Sequence, residues 1–160
     1  NSIDAVDWLG EMSRRLEKRI PNREYRIDLL RSVHYEATRA GLDPQLVLGL
    51  MQVESGFRKY AVSSAGARGY MQVMPFWPEQ LGMRRYQLKT IPDNIRMGAA
   101  ILRFYLKREK NHVPKALARY NGSVGRRWYS DMVINRWTRW NGADDLGLEP
   151  GDVRLRYSSD

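Results

Sequence analysis

Apolar residues recur at every third or fourth position along most of the chain, which is the spacing of a helix that buries one face. The first such run covers residues 3–20 and stops at Pro21. The second covers residues 27–40, with Asn22 as a candidate N-cap and Gly41 as a stop signal. The pattern predicts two amphipathic helices in this part of the chain.

A third run is apolar on nearly every side instead of on one face. Asp43-Pro44 has the form of an N-cap followed by proline at the first helical position. Residues 46–53 then consist of leucine, valine, methionine and glycine with a single glutamine. A helix that is hydrophobic all round is buried by its neighbours, so we expect this one to lie at the centre of the fold.

The helical period fails over residues 56–78, where glycine, serine and proline interrupt the chain. We expect loops there, with a short β-hairpin. Helical spacing returns over residues 93–106, 114–120 and 128–140. The pattern as a whole indicates a mainly α-helical fold with a small irregular region in its middle.

The organisation indicated is one domain over residues 1–160, because this length fits one domain and no repeat or linker interrupts it. Hydrophobic residues make up 42% of the chain, which is enough for a substantial core. Trp128, Trp137 and Trp140 lie at helical intervals, and we expect them mainly in that core. Residues 141–160 resemble an irregular C-terminal tail.

Composition excludes several chemistries. The chain has no Cys, which excludes a disulfide scaffold, thiol catalysis and cysteine-ligated metal centres. The two histidines, His34 and His112, have no ligand-like spacing, so we expect neither a metal nor another cofactor. The longest apolar stretch, residues 46–51, is far shorter than the roughly 20 residues of a membrane span, and we expect no transmembrane segment in this chain.

The net charge of +9 is concentrated in one stretch, since residues 103–139 hold ten basic and two acidic residues. Such a stretch can attract a polyanion, including nucleic acid, acidic lipid or an acidic polymer. The alternative is that these charges only solvate helix faces. Charge alone leaves both interpretations open.

Glu54 breaks the apolar pattern at the end of the third predicted helix. Leu50 and Met51 lie one turn before it, on the same helix face. Glutamate is rarely buried without a partner, and the negative end of a helix dipole disfavours a carboxylate. Both effects raise the pKa of a carboxyl group, so Glu54 is a candidate catalytic acid.

Within residues 44–78, Glu54 is the only acidic residue. Glycosidases ordinarily use two carboxyl groups. If the reaction is sugar cleavage, one carboxyl group would serve as both acid and base, and the substrate would supply the nucleophile. The structural alternative is an ion pair between Glu54 and Arg58, Lys59 or Arg68, and at this point both remain open.

Four blocks of residues occur in a recognisable order. They are Glu54-Ser55-Gly56-Phe57, then Ala61-Val62-Ser63 followed by Gly66-Ala67-Arg68-Gly69-Tyr70-Met71-Gln72-Val73-Met74-Pro75, then Asn94-Ile95 with Gly98, and finally Ala116-Leu117-Ala118 before Tyr120-Asn121-Gly122. Together they resemble the family 1 lytic transglycosylases, the catalytic domain of soluble lytic transglycosylases, which is related to goose-type lysozyme. The resemblance covers about residues 40–140. Departures at Arg58-Lys59, Tyr70 and Arg119 concern the shape of the sugar subsites, not the groups that the chemistry needs.

The resemblance implies a lysozyme-like helical domain that acts on peptidoglycan, the alternating GlcNAc–MurNAc polymer of the bacterial wall. Glu54 would protonate the oxygen of the MurNAc–GlcNAc bond and then, once ionised, deprotonate the C6 hydroxyl of the same MurNAc. The N-acetyl group would assist at C1. The product would be 1,6-anhydroMurNAc, which makes the enzyme a lyase.

The resemblance also implies roles for further residues. The catalytic group would be Glu54, Tyr120 and Ser63, and substrate would contact Met71, Gln72, Ser55, Asn121 and Tyr70. For some of them a structural role stands beside this one: Tyr120 as a core tyrosine, Ser63 as a turn serine and Ser55 as a brace of the helix end.

The resemblance implies cell-wall turnover in the periplasm or cell envelope of a Gram-negative bacterium. We expect a monomer that binds peptidoglycan strands and not nucleic acid. An outer-membrane anchor in a segment outside this chain, and a protein partner in the envelope or secretion machinery, both stay open. The alternatives are a hydrolytic lysozyme of the same fold and an inactive peptidoglycan-binding or assembly module. A nucleic-acid-binding protein is the third, but no nucleic-acid motif accompanies the basic stretch.

Overall fold

The computed structural model describes residues 2–142 and shows a mainly helical fold, as the sequence pattern predicts. Its elements are α1 (Ser2–Leu16), α2 (Arg23–Arg39), α3 (Pro44–Ser55), α4 (Trp77–Gln80), a 3₁₀ helix (Arg85–Lys89), α5 (Ile91–Arg108), α6 (Val113–Asn121) and α7 (Trp128–Trp140). The C-terminal tail predicted for residues 141–160 lies, from residue 143 onward, outside the described residues.

Two helix starts follow from the capping residues that the sequence indicates. The Asn22 side chain accepts a hydrogen bond from the Tyr25 N–H at 2.9 Å, and α2 begins one residue after Asn22. The Asp43 side chain accepts from the Gln45 N–H, also at 2.9 Å, and Pro44 opens α3. A capping side chain satisfies a backbone donor that the helix itself leaves unpaired.

Helix α1 is shorter than its apolar pattern suggests, because it ends at Leu16 and not at Ile20. The N–H groups of Arg19 and Ile20 still point back to the Leu16 carbonyl, at 3.1 and 2.9 Å. Beyond them the buried Arg26 donates to the Ile20 carbonyl at 2.8 Å. This tertiary hydrogen bond takes the carbonyl of Ile20 out of any further helical turn.

Helix α3 is the centre of the fold, as predicted. Its six residues from Leu46 to Met51 are all buried, and its most extensive helix contact is with α7. Gly49 permits that contact, since a Cβ added there would lie only 2.9 Å from the Trp137 backbone nitrogen and 3.2 Å from the Val133 oxygen. The two helices therefore touch backbone to backbone, and α7 is held against the length of α3.

The orientation of α7 corrects one expectation. Trp128 is 54% exposed, so it is not a core residue. The buried face begins instead at Tyr129 and continues through Val133, while Trp140 is buried and Trp137 packs partly buried against the core. The predicted helix is confirmed, but its buried face begins one residue after Trp128. Close packing on α3 decides which face of α7 turns inward, and the positions of the tryptophans do not.

The region after α3 contains turns and two isolated antiparallel bridges, Val62 with Arg68 and Arg68 with Val73. This is the place of the predicted hairpin, although within residues 2–142 no longer strand forms. The described residues contain no helix that is both long and apolar enough to span a bilayer. The irregular region passes close to the C-terminal end of α3, where Glu54 lies.

Candidate active site

Glu54 lies in the last turn of α3, and two side chains hold its carboxyl group. The Tyr129 hydroxyl donates to Oε1 at 2.5 Å, and the Asn121 side chain forms a second hydrogen bond with the carboxylate. Within residues 2–142 Glu54 forms no salt bridge. The ion pair considered from the sequence is therefore absent there, and Arg58 donates instead to the Ser55 carbonyl at 2.8 Å.

Burial raises the pKa of Glu54, and the hydrogen bonds from Tyr129 and Asn121 lower it by a smaller amount. The raised pKa predicted from the sequence is confirmed, with burial as the main cause. Removal of the carboxyl group from water disfavours its charged form, whereas a donor on its oxygen favours that form. The site can therefore hold this group protonated and still stabilise the carboxylate once the proton has left.

Tyr129 is the site residue that the sequence did not reveal. Its hydroxyl is buried, and burial together with the negative charge of Glu54 raises the pKa of Tyr129 well above its ordinary value. It consequently remains a hydrogen-bond donor under all conditions in which Glu54 titrates. The available signal was its spacing to Val133 and Trp140, which puts the three residues on one helix face. That spacing does not identify α3 as the helix that this face packs against.

Tyr120 is close to the same carboxyl group but has another partner. Its hydroxyl donates to the Met71 carbonyl at 2.6 Å, so it connects α6 to the loop that follows α3. Burial and the nearby charge of Glu54 raise the pKa of Tyr120. The resemblance implies that the Tyr120 hydroxyl orients either the acid or the N-acetyl group of the substrate; in this structure it is the Tyr129 hydroxyl that donates to the Glu54 carboxyl group.

The buried side chain of Asn94 fixes the loop that carries Met71. Its Oδ1 accepts from the Met71 N–H at 2.9 Å, and its Nδ2 donates to the carbonyls of Arg68 and Leu88 at 3.0 and 2.9 Å. Gly69 has φ +78°, and a Cβ there would lie 2.4 Å from the Asn94 side chain. The glycine and the asparagine of the sequence blocks thus form one packing unit behind the site.

Three predicted substrate-binding residues lie in this loop, and their side chains point to structural contacts. Tyr70 and Met71 are buried, and the Tyr70 hydroxyl has no hydrogen-bond partner among residues 2–142. The Gln72 amide donates to the carbonyls of Ala61 and Gly69, both at 3.0 Å. These contacts shape the loop, and substrate contact by any of the three stays a prediction.

The two serines also have structural partners. The buried Ser55 donates to the Met51 carbonyl at 3.1 Å, which is the helix-bracing role considered from the sequence. Ser63 is exposed, and its Oγ accepts from the Ala67 N–H at 3.0 Å. Ser63 therefore organises a turn, while its exposed hydroxyl proton stays available to a ligand.

The structure thus brings three of the other seven predicted site residues towards the Glu54 side chain: Asn121, Tyr120 and, through its backbone, Met71, while Ser55 follows Glu54 as the last residue of α3. The described residues contain no group of three or more His, Asp or Glu side chains placed to hold a metal ion. His112 caps α6 by accepting from the Lys115 N–H at 3.2 Å, and His34 packs against Trp8.

Proteins named as transglycosylases share parts of this sequence. Over 39 residues it is 59% identical to the membrane-bound lytic murein transglycosylase C of Actinobacillus pleuropneumoniae, covering 24% of this chain and 11% of that protein. Over 83 residues it is 41% identical to the transglycosylase of Enterobacteria phage PRD1, covering 52% of this chain and 30% of that one. The chain therefore spans less than a third of the length of these relatives.

The fold matches that of a solved enzyme. The X-ray structure of an inactive mutant of the lytic transglycosylase Slt from Pseudomonas aeruginosa aligns with a TM-score of 0.64 and 24% identity over 84% of this chain and 26% of that one. The family model described as the transglycosylase SLT domain matches residues 31–131, a range that contains every residue that holds the Glu54 carboxyl group. The chain belongs to the transglycosylase SLT domain family.

Proposed function

We propose that this domain is a lytic transglycosylase that cleaves the MurNAc–GlcNAc bond of peptidoglycan with Glu54 as its acid and base. The observation that carries the proposal is the partly buried carboxyl group at the end of α3, with a raised pKa and two hydrogen-bond donors. Membership of the family and the names of the murein transglycosylases that share its sequence support the same substrate.

In the first step Glu54 gives its proton to the glycosidic oxygen, and the bond between that oxygen and C1 of MurNAc breaks. The N-acetyl carbonyl oxygen of the same sugar stabilises the positive charge that develops at C1. Because burial raises the pKa of Glu54, more of this group carries its proton near neutral pH than an exposed glutamate would.

In the second step the ionised Glu54 takes the proton of the C6 hydroxyl, and O6 forms a bond to C1. The product is 1,6-anhydroMurNAc, Glu54 is protonated again, and no water is consumed. The donors Tyr129 and Asn121 stabilise the carboxylate between the two steps.

The remaining site residues position the sugar or the loop. Asn121 is exposed and already reaches the carboxylate, so it is suited to touch the N-acetyl group as well. Ser63 is exposed at its turn and can donate to a sugar hydroxyl. Tyr70, Met71 and Gln72 act through the shape of their loop.

The place of action that fits this chemistry is the bacterial cell envelope, with wall turnover in the periplasm of a Gram-negative organism. The relatives named as murein transglycosylases from Actinobacillus pleuropneumoniae and Haemophilus influenzae support this assignment. Peptidoglycan strands are the partner that the reaction requires.

The decisive variant is Glu54→Gln, which keeps the size of the side chain and removes the proton that the first step needs. We expect turnover of purified sacculi to fall by about a thousandfold or more, with a nearly unchanged melting temperature at acidic pH. Glu79→Gln, at an exposed carboxyl group on α4, is the matched control and should retain activity. A Glu54→Gln protein that still clears sacculi would disprove the catalytic assignment.

Mass spectrometry of the products separates the proposal from its two alternatives. Anhydro ends on the released sugars are the expected outcome. Reducing ends that carry one added water would identify a hydrolytic lysozyme instead. If neither product forms, the domain is an inactive binding or assembly module.

A further inference from the structure

A concavity of about 480 Å³ lies between α6 and the beginning of α7. Its lining includes Lys115 and Arg119 from α6, and Arg126 and Arg127 from the loop before α7. A volume of this size lies in the range of ligand pockets. None of the four basic residues takes part in the contacts around Glu54 described above.

The pocket lies on the other side of α6 from the candidate active site. Tyr120, which faces the active site, is one residue away from Arg119 and two from Ala118, both of which line the pocket. Successive helical residues are rotated by about 100° around the axis, so these side chains occupy different faces of the helix. A ligand in this pocket would therefore lie about one helix diameter away from the cleaved bond.

The pocket has an excess of positive charge. The only acidic residue of its lining is Glu109, which already pairs with Arg119 at 2.9 Å. Within residues 2–142 the side chains of Arg126 and Arg127 form no ion pair, and both are exposed. With Lys115, they leave three cations for a bound anion.

The beginning of α7 adds to this charge. Arg127 is the N-cap of α7 and has no side-chain capping hydrogen bond, and Ser130 of its first turn also lines the pocket. The uncapped start of a helix carries partial positive charge on its free N–H groups. Asp131 in the same first turn offsets part of this charge, so the start of α7 makes only a minor addition to the attraction of the three cations and would not define a site alone.

Part of the pocket lining is apolar, which restricts the kind of anion. Pro114, Ala118 and Val124 contribute hydrocarbon surface in addition to the cationic side chains. A small inorganic anion would use the charges but leave this surface and most of the volume unfilled. A short peptide with free carboxylates and small side chains uses both, since a guanidinium group can bind a carboxylate through two hydrogen bonds.

We propose that this pocket binds the peptide stem of peptidoglycan through its carboxylates, beside the cleft that holds the glycan. This proposal rests on the proposed function, because it names a second part of the same substrate. The lining of the pocket by Arg126 and Arg127 gives the basic stretch of the sequence a definite ligand. The domain would thereby favour glycan strands that still carry their peptides.

The test is a titration of the isolated domain with the free stem peptide, followed by the chemical shifts of backbone amides. We expect changes at Ala118, Val124 and Ser130, and about tenfold weaker binding in the double variant Arg126→Gln/Arg127→Gln. The matched control, Arg23→Gln/Arg31→Gln, removes two positive charges from exposed positions on α2 and should bind as the unmodified domain does.

Two further ligands identify what the pocket recognises. A stem peptide with amidated carboxyl groups should bind at least about tenfold more weakly than the free acid. Inorganic phosphate should not displace the peptide at equal concentration. Equal binding of the amidated peptide, displacement by phosphate, or unchanged affinity in the Arg126→Gln/Arg127→Gln protein would each overturn the proposal.

Turnover separates this proposal from the function on which it rests. The ratio of cleavage rates on peptide-bearing and amidase-stripped glycan should fall several-fold in the Arg126→Gln/Arg127→Gln protein and stay constant in the α2 control. If the unmodified domain cleaves neither substrate, the proposed function fails, while the peptide titration still decides whether the pocket exists as a binding site. A constant ratio in the double variant, with active enzyme, contradicts the role of the pocket in substrate choice.

Discussion

The two tyrosines beside Glu54 show how neighbouring hydroxyl groups take different roles. The Tyr129 hydroxyl donates a hydrogen bond to the carboxyl group itself, whereas the Tyr120 hydroxyl donates one to a backbone carbonyl and fixes the Met71 loop. Both hydroxyl groups remain protonated, because burial and the charge of Glu54 raise the pKa of each. The tuning of the acid therefore depends on Tyr129, and the position of the loop depends on Tyr120.

This division of roles predicts different pH profiles for Tyr129→Phe and Tyr120→Phe. The hydrogen bond from Tyr129 lowers the pKa of Glu54, so its removal raises that pKa further. Since the first step needs protonated Glu54, the decline of kcat/KM at high pH should move to higher pH in Tyr129→Phe. We also expect an about tenfold loss of kcat/KM, because the carboxylate between the two steps loses a donor.

Tyr120→Phe is the control, since the hydroxyl that it removes donates to Met71 and not to Glu54. Its kcat/KM should fall without a matching displacement of the high-pH decline. The measurement is kcat/KM as a function of pH for both variants on one soluble glycan substrate. If Tyr129→Phe leaves the decline where it is, the hydroxyl does not tune the acid.

Burial of Glu54 also makes the stability of the folded state depend on pH. The pKa of Glu54 is raised in the folded state, so between its ordinary value and the raised value the folded chain binds more protons than the unfolded chain. The contribution of this group to stability is therefore complete at low pH and is lost as the pH rises through the folded-state pKa.

Glu54→Gln does not titrate, and its amide oxygen can still accept from Tyr129. Relative to the unmodified protein, it should gain about 1–3 °C in melting temperature as the pH is raised from about 4 to about 8. Thermal melts across this interval check the prediction, with Glu79→Gln as the exposed control. If the melting temperatures of Glu54→Gln and of the unmodified protein differ by the same amount at every pH, burial does not raise the pKa of Glu54.

At the level of residues, the sequence revealed the acid more readily than its surroundings. Glu54 is visible because a carboxyl group interrupts a run of apolar residues, and that contrast requires no tertiary information. Tyr129 is 75 positions away and is a buried aromatic residue on a helix, which many core tyrosines are. Only the packing of α7 on α3 distinguishes Tyr129 from an ordinary core tyrosine, so the sequence alone does not reveal its role.

At the scale of the elements, the contact between α3 and α7 leaves no room for a side chain at Gly49. At Gly49 the nearest atoms of α7 belong to the backbone, which cannot move aside as a flexible side chain can. Gly49→Ala should therefore lower the free energy of unfolding by about 1–3 kcal/mol, although alanine is the better helix former. The added methyl group would push α7 away from α3 and carry Tyr129 away from Glu54, so activity should fall as well.

Gly10→Ala is the matched control for Gly49→Ala. Gly10 also lies inside a helix, but a Cβ there meets no atom within 4 Å. This variant should gain up to about 1 kcal/mol through helix propensity alone. Urea unfolding of the two variants measures the difference, and a Gly49→Ala protein as stable as Gly10→Ala would mean that the helices can separate without cost.

The elements themselves were largely predictable where local chemistry determines them. Asn22 and Asp43 cap the helices that the sequence assigns to them, because capping requires only neighbours along the chain. The early end of α1 and the exposure of Trp128 were not predictable in this way. The exposure of Trp128 depends on a distant partner, the backbone of α3 against which α7 packs, and Arg26 binds the Ile20 carbonyl only after the helix has ended.

At the scale of the whole molecule, the stretch of sequence that carries most of the excess positive charge also supplies residues of the site. Residues 103–139, which carry ten basic and two acidic residues, also include Asn121 and Tyr129 at the Glu54 carboxyl group. An anionic polymer drawn to this part of the protein is therefore drawn towards the end of α3 that carries Glu54. The amino acid composition alone could not distinguish this arrangement from mere solvation of helix faces.

The arrangement predicts that binding to sacculi is sensitive to salt. Between about 20 mM and about 300 mM salt the screening length falls from about 20 Å to about 6 Å, so charges outside direct contact stop contributing. Glu54→Gln protein, which leaves the sacculi intact, should show a several-fold smaller bound fraction at the higher salt. Arg126→Glu/Arg127→Glu added to it should weaken binding most at low salt, where the attraction acts over the longest range. Binding that does not change with salt, or a charge reversal without effect at low salt, would show that the ten basic residues only solvate their helices.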